Sequence, residues 1–161
     1  MAHNELFVSW LKDAYAMENA IVPVLEKQVD AAADYPDVQS GIKRHLEATR
    51  THAESVKSCL EELGEAPSGL KTGMAELGGK VQGMMQGMPE DGLVKAALQD
   101  YSTEHMEIAS YKALIEAANE LGHPEIAQRC QTILQDEEAM AAWLEQQLPI
   151  VVRGTLTAQH A

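Results

Sequence analysis

Between Leu93 and Ile115 the chain repeats apolar side chains at the spacing of one helix face, and in the middle of that face it places a carboxylate. At about 100° per residue, Leu93, Ala97, Tyr101, Glu104, Ile108, Tyr111 and Ile115 fall on a single stripe. A stripe of that length demands a long helix whose apolar face is covered by other helices. A covered carboxylate is costly unless it is paired, protonated or bound to a cation. Glu104 therefore constrains the fold and the chemistry together, because something must meet it.

The remaining chain offers helices to do the covering. Hydrophobic residues make up 45% of the sequence but aromatics only 4%, and strong helix formers dominate over the alternating β-branched pattern of strands. The fold class is all-α. Helix periodicity predicts spans of about 4–33, 36–63, 91–121 and 124–148, within one domain of 161 residues. Asn4 is the expected N-cap of the first helix, whose inner face carries Leu6, Phe7, Trp10, Leu11, Ala14, Ile21, Val22, Leu25 and Val29 with Glu18 among them. Pro23 predicts a kink or break there. Pro36 starts the second helix and Gly64 stops it; its stripe of Val38, Ile42, Leu46, Ala53, Val56 and Leu60 includes His45, Thr49 and His52. The fourth helix presents Ile126, Cys130, Ile133, Ala141 and Leu144 with Glu137 near the centre, and Pro149 is expected to end it before a tail of residues 149–161.

Residues 64–90 hold most of the chain's 11 glycines. They are too long for a helix hairpin and predict a crossover between two hairpins. Leu70, Met74, Leu77, Val81 and Met84 recur there at helical spacing, which predicts a short extra helix on the bundle. Helix hairpin, long crossover, helix hairpin is the connectivity of ferritin-like four-helix bundles.

Each of the four helices thus places an ionisable group on its apolar face: Glu18, the pair His45 and His52, Glu104 with Glu107 nearer the stripe's edge, and Glu137. The hairpins set their heights. Glu18 lies 17 residues before Tyr35 and His52 17 after it; Glu107 and Glu137 are each 15 from Gly122. Glu104 is one turn further, about 4.5 Å along the axis. Carboxylates with one or two imidazoles form the oxygen and nitrogen donor set suited to iron, manganese or zinc, and facing helices of a bundle are where dinuclear carboxylate sites are built. A shared carboxylate from Glu104 or Glu137 would hold two ions close together. The competing reading is a buried hydrogen-bond network of the same groups with Tyr15 and Tyr111. Tyr111 itself reads first as a packing residue, with a hydrogen bond to a ligand or a redox role as the alternative, and His105 as a surface or supporting group.

Four runs carry a family resemblance: Leu-Lys-Asp-Ala-Tyr-Ala-Met-Glu ending at Glu18, His-Leu-Glu-Ala-Thr from His45, Glu-His-Met-Glu-Ile-Ala-Ser-Tyr from Glu104, and Leu-Gln-Asp-Glu-Glu around Glu137. Together they resemble the YciE/YciF group of the ferritin-like superfamily, over about Leu6 to Leu148. The resemblance implies a rubrerythrin-like bundle, a homodimer, a dinuclear iron or manganese centre held by Glu18, His45, His52, Glu104, Glu107 and Glu137, and a stress-associated bacterial cytoplasmic protein. Two helices depart from the ferritin-like pattern. Thr49 stands three residues before His52 where a Glu is common, Ala48 replaces a second Glu, and Met140 and Ala141 follow Glu137 where another ligand would lie.

Charge and cysteines narrow the setting. A net charge of −13 without a Lys/Arg cluster disfavours nucleic acid and anionic membrane surfaces as partners. Cys59 and Cys130, on different helices, fit a reducing cytoplasm, and no segment predicts secretion or membrane insertion. The chain has no rubredoxin-like cysteine quartet, so an electron supply would be external. Two function classes remain: a metal protein reacting with dioxygen or peroxide, and a non-catalytic helical interaction module that has lost metal competence.

Overall fold

A computed structural model describes residues 2–65 and 92–158. Four helices form it: α1 (Ala2–Ala31), α2 (Pro36–Glu62), α3 (Gly92–Glu120) and α4 (Pro124–Ala158). The predicted crossover and its short helix lie outside the described residues.

The chain reverses between α1 and α2 at residues 32–35 and between α3 and α4 at Gly122, while Gly64 closes the end of α2. Gly122 adopts φ +77° and Gly64 φ +80°, the left-handed conformation that glycine reaches without a Cβ penalty. Around each, a late backbone N–H closes on the preceding helix: His123 N donates to Ala118 O at 2.8 Å and Glu65 N to Leu60 O at 3.0 Å. Pro36 opens α2 in the first turn, where a missing N–H costs nothing.

Cross-helix contacts give the orientation. Lys12 meets Glu65 at 2.7 Å, so the end of α2 returns beside the start of α1. Gln28 Nε2 donates to Asp100 Oδ1 at 2.8 Å, which sets the start of α3 beside the end of α1. Phe7 stacks on His123 with ring centroids 5.9 Å apart, at the α3–α4 turn. The chain therefore leaves α2 at one end of the bundle and re-enters α3 at the other, so α2 and α3 run parallel. α1 packs chiefly on α2 and α3 on α4; the lesser contacts are α1 with α3 and α2 with α4. This is the ferritin-like arrangement.

Apolar side chains fill the interior on either side of mid-height. Phe7, Leu11, Val56, Leu60, Leu114, Ile126 and Ile133 are buried toward one end, Leu25, Leu46 and Leu144 toward the other. Each such side chain contributes about 1.5–3 kcal/mol, and the bundle tolerates the polar layer between them on that account.

Of the kink or break expected at Pro23, the break does not occur, and α1 runs unbroken through Pro23. Its ring is exposed, so solvent reaches the carbonyl left without a donor, while buried Ile21, Val24 and Leu25 hold both halves against the bundle. α4 likewise continues past Pro149 to Ala158 instead of stopping. Pro149 is exposed, and Val151 beyond it is buried, which keeps the extra turns docked. At the other terminus the helix begins at Ala2, ahead of Asn4.

Gly41 is required for a reason the sequence does not display. A Cβ built on it would overlap the six-membered ring of Trp143, so α2 and α4 approach closely there. Gly41→Ala should lower stability by about 1–3 kcal/mol through overpacking, exceeding the helix-propensity gain of about 0.5–1 kcal/mol. Thermal melting checks this; a stabilised variant would show that the ring moves aside freely.

Candidate metal centre

Glu18 from α1, His45 and His52 from α2, Glu104 and Glu107 from α3, and Glu137 from α4 are all buried at mid-bundle. Thr49 lies between the two histidines, also buried. The groups form two triads, Glu18–His52–Glu137 and His45–Glu104–Glu137, each with one donor atom per residue inside 4.8 Å of the others. Glu137 belongs to both. His45 Nε2 lies 2.9 Å from Glu104 Oε1. His52 Nδ1 lies 2.8 Å from Glu137 Oε1 and 3.8 Å from Glu18 Oε1. Its other nitrogen, Nε2, is 3.1 Å from Asp136 Oδ2. The Tyr111 hydroxyl, wholly buried, donates to Glu18 Oε1.

What the cluster lacks in hydrogen bonds is as informative. Glu18 Oε2, Glu104 Oε2, Glu107 Oε2 and both oxygens of Glu137 are buried without a hydrogen-bond partner, as is His52 Nδ1. The 2.8 Å approach of His52 to Glu137 is therefore short but out of line for an N–H···O bond. Buried polar atoms are nearly always satisfied, so unpartnered oxygens gathered in two triads fit cations better than a hydrogen-bond network. With one nitrogen and two carboxylates per triad, the donor set suits divalent iron, manganese or zinc.

Burial dominates the proton affinities. Desolvation, reinforced by the Glu137 charge, pushes Glu18 up to about 8 despite His52 and the Tyr111 hydrogen bond. Desolvation and the neighbouring carboxylates of Glu107 and Glu137 push Glu104 up to about 12, and burial raises Glu107 well above its ordinary value. Burial alone would raise Glu137, but contact with His52 and Glu104 outweighs it and holds this carboxyl below the usual range. Burial would lower His52, yet Glu137, Glu18 and Asp136 carry it up to about 9. His45 is lowered, chiefly by burial. At neutral pH the protein's own groups thus balance as one His52–Glu137 ion pair among protonated carboxyls.

Of the residues singled out in the sequence, all six enter the buried layer, and five of them form the triads. Glu107 shares the layer but belongs to neither triad. Between the two carboxylates suggested as the shared one, the geometry favours Glu137 over Glu104. His105 is exposed and sits edge-on to Tyr101 at 4.6 Å. One feature escaped sequence reasoning: Asp136 follows no apolar periodicity, and its adjacency to Glu137 is its only signal. Tyr111 packs in the core as its first reading has it, and its hydroxyl also donates to Glu18, the hydrogen bond to a ligand that is its alternative reading.

A family profile described as a domain of unknown function, DUF892, matches residues 2–157. The chain belongs to the DUF892 family. This YciF-like assignment agrees with the resemblance carried by the four helix motifs. A DUF892-like fold recurs in a Xanthomonas campestris pv. campestris protein of known structure, 33% identical over 100% of both chains with a TM-score of 0.83. YcfI from Rhodopseudomonas palustris is 27% identical over 90% of this chain and 94% of its own, with a TM-score of 0.73. The E. coli stress protein YciF shares the fold at 24% identity, covering 94% and 97%, with a TM-score of 0.75. No helix among the described residues is long and apolar enough to cross a membrane.

The proton affinities set a pH dependence for this DUF892 chain. Glu18, Glu104 and His52 hold protons more tightly folded than unfolded, so their contribution to stability is complete below the ordinary values of 4.5 for the carboxyls and 6.5 for the imidazole. It is lost as pH rises toward about 8, 12 and 9 respectively. Glu137 and His45 act oppositely: the contribution of Glu137 is lost only in acid, and that of His45, held neutral by burial, is lost as pH falls below its ordinary value of 6.5, offsetting part of the trend at the acid end. The melting temperature of the metal-free protein should therefore fall between about pH 5 and pH 9. Glu104→Gln, neutral at every pH, should flatten that fall, and a melting temperature that climbs across the same interval would contradict the assignment.

Proposed function

We propose that this DUF892 protein binds two divalent metal ions, iron or manganese, in a dinuclear centre that reacts with dioxygen or hydrogen peroxide. The observation that supports this reading best is Glu137, common to both triads with neither oxygen engaged in a hydrogen bond. One carboxylate that reaches both imidazole-bearing triads, with Oε1 against His52 and neither oxygen in a well-formed hydrogen bond, is what a bridge between two cations would require.

In this reading Glu18 and His52 hold one ion, His45 and Glu104 the other, and Glu137 both. Tyr111 occupies one oxygen of Glu18 and leaves Oε2 free to ligate. Glu107 supplies a further buried carboxylate beside the pair. Apolar packing on either side keeps bulk water from the ligands, which strengthens their hold on a cation. When bound, the two ions would supply redox steps toward dioxygen or peroxide. Ligation requires Glu18, Glu104 and His52 to give up protons, so uptake should strengthen as pH rises. A stress role in the cytoplasm, a homodimeric state and an external electron donor belong to the same proposal. An E. coli stress protein shares the fold, and that likeness motivates the setting.

An anaerobic ferrous titration with optical detection, followed by exposure to oxygen, tests the proposal. Wild type should take up two Fe(II) per chain and develop near-ultraviolet absorbance on oxidation. Glu137→Gln, close to isosteric, should lose both positions together. Wild type that binds neither Fe(II) nor Mn(II) would instead favour the non-catalytic bundle, toward which Thr49 and Ala141 at ligand positions point.

A further inference from the structure

We propose that Asp136 is a positioning residue that fixes which nitrogen of His52 faces the metal centre, and thereby governs the affinity of one metal position and not the other. The inference rests on the metal-binding reading above and adds a residue that neither the triads nor the family motifs assign.

The His52 ring stands between the buried layer and the surface. Its side chain is 4% exposed, whereas that of Asp136 is 58% exposed. Asp136 Oδ2 lies 3.1 Å from Nε2, while Nδ1 lies 2.8 Å from Glu137 and 3.8 Å from Glu18. Asp136 and Glu137 are consecutive on α4, so their side chains diverge by about 100°. One comes from outside and one from inside, and together they address the two ring nitrogens.

A carboxylate only accepts hydrogen bonds. Asp136 therefore requires the N–H to be at Nε2, and in the neutral imidazole this leaves the lone pair on Nδ1, directed at Glu18 and Glu137. Nδ1 makes no hydrogen bond to Glu137 despite their approach, consistent with a ring set for coordination through that atom. Whichever protonation state precedes binding, the proton that leaves is the one on Nδ1, because Asp136 retains the other. His45 presents the opposite atom, Nε2, to its own triad. Asp136 contacts His52 alone of the two histidines, so its influence should be confined to the Glu18–His52–Glu137 position.

Cobalt(II) titration followed by visible absorption reads this directly, using wild type, Asp136→Ala, Asp136→Glu and each Asp136 change combined with His45→Ala. Wild type should bind two Co(II). Asp136→Ala should weaken one position by about ten- to hundredfold and leave the other unchanged. In the His45→Ala background, where the tighter remaining position is that of His52, the same change should loosen that position by a similar factor and alter its visible bands. Asp136→Glu should restore both affinity and bands. Melting of the metal-free Asp136→Ala protein should fall only slightly, because the exposed Asp136 contributes a single contact to His52. Two unchanged Co(II) positions in Asp136→Ala would overturn the inference and leave the metal reading standing. Equal weakening of both positions with a strongly lowered melting temperature would overturn it in favour of a purely structural role. A wild type that binds no Co(II) would overturn the metal reading, and this inference with it.

Discussion

The contact between His52 and Glu137 is the interaction on which the rest of the structure depends. It joins α2 to α4 at mid-height, and it gathers the charge that the bundle must bury: an imidazole held cationic by carboxylates and a carboxylate held anionic by imidazoles. Glu18 approaches the same imidazole from α1, and Glu104 meets the same carboxylate from α3. Removing either central partner would strand the other in a medium of low polarity, a loss much larger than the pair's net contribution. A core built for stability alone would place leucines here.

The bundle geometry follows from that requirement. The α1–α2 turn at residues 32–35 and the Gly122 turn fix where each hairpin folds back, and equal counts from the turns bring Glu18 level with His52 and Glu107 level with Glu137. Apolar layers above and below keep the level in register, because a shift of one helical turn would bury the ionisable groups among leucines instead of one another. The same arrangement makes the cluster asymmetric. Glu18 is tied to Tyr111 and His52 to surface Asp136, whereas His45 and Glu104 face each other across the bundle interior. Two metal positions of equal donor type would thus differ in support and in access to protons.

Sequence periodicity made much of this legible. Glu104 in an apolar stripe, and its counterparts on the other three helices, predicted a polar layer because helical spacing translates directly into a face. The hairpin turns were visible through Pro36 and Gly122 and the end of α2 through Gly64, because their conformational limits are local. Effects set by tertiary packing were not. Pro149 looks like a stop, yet buried Val151 carries α4 beyond it. Gly41 looks like a weak point of α2, yet its missing side chain makes room for Trp143. Asp136 looks like one more exposed acid among 25 acidic residues, and only the rotation of His52 reveals its contact. The choice between Glu104 and Glu137 as the shared carboxylate likewise needed the helices assembled, because it depends on distances across the bundle.

The central claim is that one carboxylate, Glu137, spans two metal positions. Crystals grown with Mn(II) and measured at the manganese absorption edge test it most directly. The account predicts two anomalous peaks per chain on opposite sides of the Glu137 carboxylate, one beside His52 and one beside His45. A single peak, or peaks away from Glu137, would contradict it.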